Sequence, residues 1–348
     1  MKQIRILVYG YFGYDNNQLD GQTVKTRSIY KLLNKYSDEI DATVSYYDTQ
    51  RFQVGKLNFL RSLKAILKSN VLFYIPARNN LKYLFPIIFI VCKIKNIKIH
   101  YVVVGGWLDE YLSKLPLHKF LLKRVKRIYP QTNDLVENLT KMQFNNVEKL
   151  HNFRLIEKPI NLNIKSKPNK DLKLVYLARI HPKKGVKTIF DLAELLFKLN
   201  KNITIDLYGQ IQNNYEEEFN KLLELSNDNI RYCGELDPED ITNCLLNYDL
   251  FLFPTEYYTE GFPGSILDAY IAQVPVVVTN WKYAEEFVDN NKSGIICEFN
   301  NPQDFINKTV ELINNPKKLN ELLIGVSCQK NKYSPKIAWE VLRNNIIN

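Results

Sequence analysis

The chain has 348 residues, 45% hydrophobic, 24% charged and 12% aromatic, which suits a packed core of about two domains and excludes a disordered chain. Its net charge of +10 is uneven: residues 1–160 hold 26 Lys and Arg against 12 Asp and Glu, and the remainder holds 21 against 25. No apolar run reaches the roughly 18–20 residues of a membrane-spanning helix, the nearest being 83–92 with Pro86 inside it.

In chain order, residues 4–9 form a short apolar run ending at Gly10 and predict a buried strand, after which a polar loop leads to Gly21. Helical spacing follows over 23–35. Further strand-like runs lie at 42–46, 71–75, 97–104, 174–177, 203–208, 250–253, 274–279 and 294–297. Helical stretches sit between them at 60–68, 187–199, 216–225 and 302–313. Strands alternating with helices predict parallel sheets built from βαβ units. Lys119, Lys123, Arg124, Lys126 and Arg127, interleaved with apolar residues, predict an amphipathic helix with a cationic face. Such a face is a solvated surface or a site for anionic headgroups or a phosphate-bearing substrate. The polar, Pro- and Asn-rich stretch 157–172 predicts a linker. Ser334-Pro335 and Trp339 predict a closing helix.

Five cysteines and four histidines are scattered without ligand spacing, so neither a disulfide framework nor structural zinc is expected. The N-terminus lacks a signal-peptide pattern, and a cytoplasmic protein is expected. There is no basic-aromatic recognition motif, so nucleic acid is not an expected partner.

Two segments carry chemistry. The first, Thr259-Glu260-Gly261-Phe262-Pro263-Gly264-Ser265-Ile266-Leu267-Asp268, follows the strand at 250–253. Its glycines allow close backbone approach, and the amides of Gly264, Ser265 and Ile266 at a helix start can bind an anion. Glu260 and Asp268 can accept hydrogen bonds from hydroxyls, although Ser265 and Asp268 also have capping-box spacing. The second, Arg179-Ile180-His181-Pro182-Lys183-Lys184-Gly185, follows the strand at 174–177. It sets two cations on a strand-to-helix loop, where open α/β sheets bind ligands.

Together these segments resemble the retaining glycosyltransferases of family 4 (group 1). That family's Glu-x7-Glu element stands here as Glu260 and Asp268, and its Arg-x4-Lys pair as Arg179 and Lys184. The resemblance spans 174–297. Residues 275–279 look like the strand after the family's donor helix, Gly294 falls at a family glycine, and Asn152 matches a family Asn.

The resemblance implies an α/β GT-B fold, with two Rossmann-like parallel-sheet domains facing across a cleft. Residues 1–160 would bind the acceptor, 161–330 the nucleotide-sugar donor, and the helix in 331–348 would pack back on the N-terminal domain. Arg179 and Lys184 would hold the donor diphosphate, Glu260 the sugar ring and Asp268 the ribose, with Gly261, Phe262, Gly264, Ser265 and Ile266 lining the donor. Gly21, Gln22 and Thr23 would form a loop near phosphate and acceptor. The implied activity is sugar transfer from a nucleotide-diphosphate sugar to a saccharide or lipid-linked saccharide, with retention, in bacterial surface-polysaccharide synthesis. The basic N-terminal domain would face an anionic membrane surface.

No cofactor is expected, and without an Asp-x-Asp element no metal either. The second carboxylate is Asp rather than Glu, Pro263 removes one N–H, and no His follows the run at 97–104. There Gly105-Gly106-Trp107 is either an acceptor-side wall or a tight turn with a packed Trp. A nucleotide-sugar epimerase and a non-catalytic nucleotide-sugar-binding protein are the alternatives.

Overall fold

The computed structural model describes residues 3–15, 21–55, 57–156 and 171–347. The linker expected at 157–172 and the boundary at 160/161 therefore lie almost wholly outside the described residues. The chain divides into two compact units, Met1–Leu155 with Tyr333–Asn348, and Ile156–Lys332.

The first unit runs β1 (Ile4–Gly10), α1 (Gly21–Lys35), β2 (Ala42–Asp48), α2 (Leu57–Leu67), β3 (Val71–Ile75), α3 (Arg78–Tyr83), α4 (Phe85–Ile94) and β4 (Lys98–Val102). It continues with α5 (Leu108–Ser113), α6 (Pro116–Leu122), β5 (Arg127–Tyr129) and α7 (Asn133–Lys141). Its strands form one parallel sheet in the order β2-β1-β3-β4-β5. Every residue of β3 is buried, as expected of a strand covered on both faces.

The second unit runs β6 (Lys173–Leu177), α8 (Val186–Lys198), β7 (Thr204–Tyr208), α9 (Glu216–Glu224), β8 (Ile230–Tyr232), α10 (Ile241–Leu245), β9 (Leu250–Phe253) and α11 (Gly264–Ile271). Then come β10 (Val276–Thr279), α12 (Ala284–Phe287), β11 (Gly294–Cys297), α13 (Pro302–Ile313) and α14 (Pro316–Lys332). Its parallel sheet has the order β11-β10-β9-β6-β7-β8. Helix α13 starts as its sequence dictates. Asn301 accepts from the Asp304 N–H at 3.0 Å, and Pro302 stands where no N–H is needed.

The last helix, α15 (Pro335–Ile347), returns to the first unit. Trp339 stacks on Tyr36 at 5.3 Å and donates its indole N–H to Glu39 at 2.7 Å. Ala338, Leu342 and Ile346 join the core formed by Ile6, Val8 and Phe73.

One expectation is corrected, and one pair of alternatives is narrowed. The cationic helix expected through Arg127 stops at Leu122. The Lys126 N–H bonds to Ile99 O at 2.9 Å, and Arg127 opens β5 beside His100. Completing the sheet outweighs helical periodicity there, because the strand buries Ile128 and Tyr129. The segment after β4 is a tight turn. The Trp107 indole donates to Val104 O at 2.8 Å, and its ring packs against the core and edge-on to Tyr111.

Candidate functional site

Strand order decides where a ligand can sit. In the second unit β6 lies beside β9, yet the chain proceeds from β6 to β7 on one side and from β9 to β10 on the other. The loops leaving β6 and β9 therefore diverge, opening a crevice at the carboxyl ends of the strands. Both segments singled out in the sequence occupy those loops.

The loop after β6 is pinned from below. The buried Tyr176 hydroxyl lies 3.2 Å from Arg179 O and 3.4 Å from Lys184 O, drawing the two ends of the loop together. Burial, with smaller contributions from Tyr215 and Glu260, raises its pKa well above that of an ordinary tyrosine and keeps it a donor. His181 Nδ1 accepts from the Lys183 N–H at 3.0 Å, capping the single turn Pro182–Lys184. Burial and the charges of Arg179, Lys184 and Lys183 lower the pKa of His181, so all three cations act on this turn.

The loop then meets the one after β9. Gly185 has φ +72°, and a Cβ there would stand 1.9 Å from Pro254 O. Only glycine permits that approach. Beside it the Glu256 N–H donates to Lys183 O at 2.9 Å.

Across this junction Lys184 Nζ donates to Glu260 Oε2. The two side chains are 17% and 21% exposed, shielded yet reachable. Lys184 Nζ also lies 4.9 Å from the Tyr257 ring centroid. Thr255, fully buried, supports the loop. Its hydroxyl accepts from the Tyr257 N–H at 3.2 Å and lies 3.5 Å from Glu260 Oε2, and its carbonyl accepts from Thr279 Oγ1 at 2.6 Å. Arg179 is exposed, and no carboxylate pairs with its guanidinium among the described residues.

Helix α11 starts directly after Gly261, Phe262 and Pro263. Its N-cap is Pro263, without a side-chain cap bond, so the capping box open to Ser265 and Asp268 is not formed. The Gly264 and Ser265 N–H groups have no acceptor among the described residues. The Ile266 N–H is already bonded to Pro263 O at 3.2 Å. The expected trio of open amides is thus a pair. The Phe262 ring is buried and stacked on Phe287 at 4.2 Å, anchoring the loop to α12. Asp268 is buried in α11, four residues on from Gly264 and on the same helix face. Lys184 and Glu260 thus meet across the crevice, Arg179 lies on the loop of Lys184, and Asp268 lies one turn into the helix that begins with the two open amides, groups that suit an anion carrying hydroxyls.

The first unit has its own divergence, between β1 and β3. Gln22 Nε2 donates to Ile75 O at 2.9 Å, tying α1 to the end of β3. Thr23 is buried, whereas a Cβ on Gly21 would meet open space. One turn on, buried Lys25 donates to Asn152 Oδ1 at 2.9 Å and His151 O at 3.3 Å, and Gln131 Nε2 reaches the same Asn152 oxygen at 3.1 Å. Burial, and then the charge of Arg154, pull the Lys25 pKa down to about 7. Sequence reasoning missed Lys25 and Thr255, because their burial comes from packing of distant segments.

Comparison with known proteins follows the same lines. Residues 157–323 match the family described as "Glycosyl transferases group 1". The chain is 27% identical over 143 residues to a poly(ribitol-phosphate) alpha-N-acetylglucosaminyltransferase of Staphylococcus aureus, covering 40% of this chain and 28% of that one. It is 29% identical over 181 residues to the capsular polysaccharide biosynthesis glycosyltransferase CapM of Staphylococcus aureus, covering 51% and 46%. The matches thus span less than half the length of either relative. Among solved structures, Anabaena Alr3699/HepE in complex with UDP and glucose superposes with a TM-score of 0.75 at 14% identity, covering 99% of each chain. The fold is GT-B.

Two outcomes are expected. Gly185→Ala should cost more than about 2 kcal/mol in denaturant unfolding, whereas Gly21→Ala, with free space, should shift stability by no more than about 1 kcal/mol. Lys25 binds its proton less tightly folded than unfolded, so stability should rise as pH is raised from about 7 towards the ordinary lysine range. Lys25→Met should flatten that rise in unfolding measured across the pH series.

Proposed function

We propose, on the premise of the group 1 match over residues 157–323 and the GT-B fold, that this chain is a glycosyltransferase. It moves a sugar from a nucleotide-diphosphate sugar to an acceptor hydroxyl in surface-polysaccharide synthesis. The observation that carries the reading is the Lys184–Glu260 pair, which joins two diverging loops beside the open end of α11.

The chemistry follows from charge. Breaking a sugar–phosphate bond leaves negative charge on the diphosphate and positive charge on the ring. Arg179 grips the departing phosphates with a planar fork of donors. Lys184 has three N–H donors, so it can keep Glu260 and still give one to a phosphate oxygen. The Gly264 and Ser265 amides add fixed donors that need no reorganisation. Glu260, oriented by Lys184 and Thr255, accepts from sugar hydroxyls, and Asp268 holds the ribose. Charge is stabilised without a divalent ion, and the acceptor hydroxyl attacks the face the leaving group vacates and gives its proton to the departing phosphate, giving retention. That manner of attack, the family 4 assignment and independence of metal rest on the resemblance of Arg179, Lys184, Glu260 and Asp268 to the family motif.

The acceptor is a saccharide or a lipid-linked saccharide, met at the cytoplasmic face of the membrane. The relatives named for poly(ribitol-phosphate) and for capsular polysaccharide biosynthesis support this, as does the basic first half of the chain.

A panel of nucleotide sugars, with UDP-glucose included, should stabilise the protein thermally and release nucleotide once an acceptor is supplied. Glu260→Gln and Lys184→Ala should each lower turnover at least about 100-fold with circular dichroism unchanged. Near-wild-type turnover in both would remove the site. Conversion of the sugar without acceptor or nucleotide release would mark an epimerase instead.

A further inference from the structure

Between Thr49 and Leu108 the sequence holds ten Lys and Arg and no Asp or Glu. This segment supplies α2, α3 and α4, and α6 follows shortly after. Helix α4 packs between α2 and α6, and the three helices cover the same core over one side of the first sheet.

Helix α4 is apolar on both sides. Phe85, Ile88, Phe89 and Cys92 are buried against the sheet. Ile87, Ile90 and Ile94, spaced three and four apart and therefore in one stripe, are 44%, 57% and 74% exposed. A helix apolar all round is ordinarily covered all round. On α2, Leu60 and Leu67 are exposed beside the exposed cations Arg61, Lys64 and Lys68. On α6, Phe120 is exposed with the Arg124 guanidinium stacked on its ring at 3.5 Å. Three neighbouring helices thus each carry exposed apolar side chains set among cations, with the densest stripe on α4.

We propose that this α2–α4–α6 face docks on an anionic lipid bilayer, with Ile87, Ile90 and Ile94 entering the headgroup–acyl boundary and the surrounding Lys and Arg meeting lipid phosphates. Charge selects the occupant. A second copy of the same face would bring cations against cations, whereas an anionic bilayer supplies both the negative charge and the apolar depth. No helix among the described residues is long and apolar enough to cross a membrane, so this face lies on the surface layer. The proposal replaces the cationic helix expected at 119–127, which ends at Leu122, with an apolar insertion edge centred on α4. It rests on the proposed function only for why a bilayer should be at hand.

The test is flotation of the full chain with vesicles of phosphatidylcholine alone, or containing about a third phosphatidylglycerol. Binding to the anionic vesicles should exceed binding to the neutral ones at least about tenfold and weaken with salt. The variant Ile87→Ser/Ile90→Ser/Ile94→Ser should lose at least about tenfold in binding, with the urea midpoint unchanged. Lys64→Glu/Lys93→Glu, which leaves apolar packing untouched, should also weaken it. Failure of the unmodified protein to float with anionic vesicles would overturn the proposal, as would flotation of both variants at its level. Self-association by light scattering that the isoleucine variant abolishes would assign the face to a second copy. UDP-glucose binding measured in parallel keeps the readings apart: its loss with flotation intact counts against the glycosyltransferase, and the reverse against the docking face.

Discussion

Two strands that lie side by side but send their chains in opposite directions leave a gap that their own ladder cannot close. In the second unit that gap lies after β6 and β9, and a few contacts bridge it. Gly185 lets its loop come against Pro254, the Glu256 amide bonds to Lys183, and Lys184 meets Glu260. Without that approach the cation and the carboxylate would belong to separate loops, each with its own freedom. With it, their mutual geometry is settled before any ligand arrives, which is the condition for electrostatic stabilisation of a departing charge.

The bridge has a supporting layer that is not itself chemical. Tyr176 holds the loop after β6 by its backbone, Thr255 and Thr279 hold the loop after β9, and the stack of Phe262 on Phe287 fixes the approach to α11. These groups are buried. They hold the reachable donors and acceptors in place, a division of labour common to preorganised sites.

Much of this was legible in the residues. Apolar runs ending at loops located nine of the eleven strands among the described residues, and the pair of motifs singled out Lys184 and Glu260, which the fold brings into contact. The two strands missed, β5 and β8, have three residues each, too few for a period to show. Helix α4 reads as an apolar run, but only its neighbours reveal which of its faces stays uncovered. Phe262 and Ile266 look like ligand contacts by position. Where the Phe262 ring and the Ile266 N–H go depends on α12 and on the turn Pro263 makes, neither of which local spacing encodes. Gly185 reads as a loop residue until Pro254, nearly seventy positions away, is seen beside it. What resisted reading was pairing at long range, which only the completed sheet order determines.

The return of α15 to the first unit has a bearing on how the protein is made. A ribosome delivers residues 3–155 first, yet their core lacks Trp339, Leu342 and Ile346 until the final helix has emerged. The second unit, continuous in the chain, can be completed in passing. The half that is synthesised first is therefore the half that matures last, and during translation its unfilled groove opposite Tyr36 remains open to chaperones or to misplaced apolar segments.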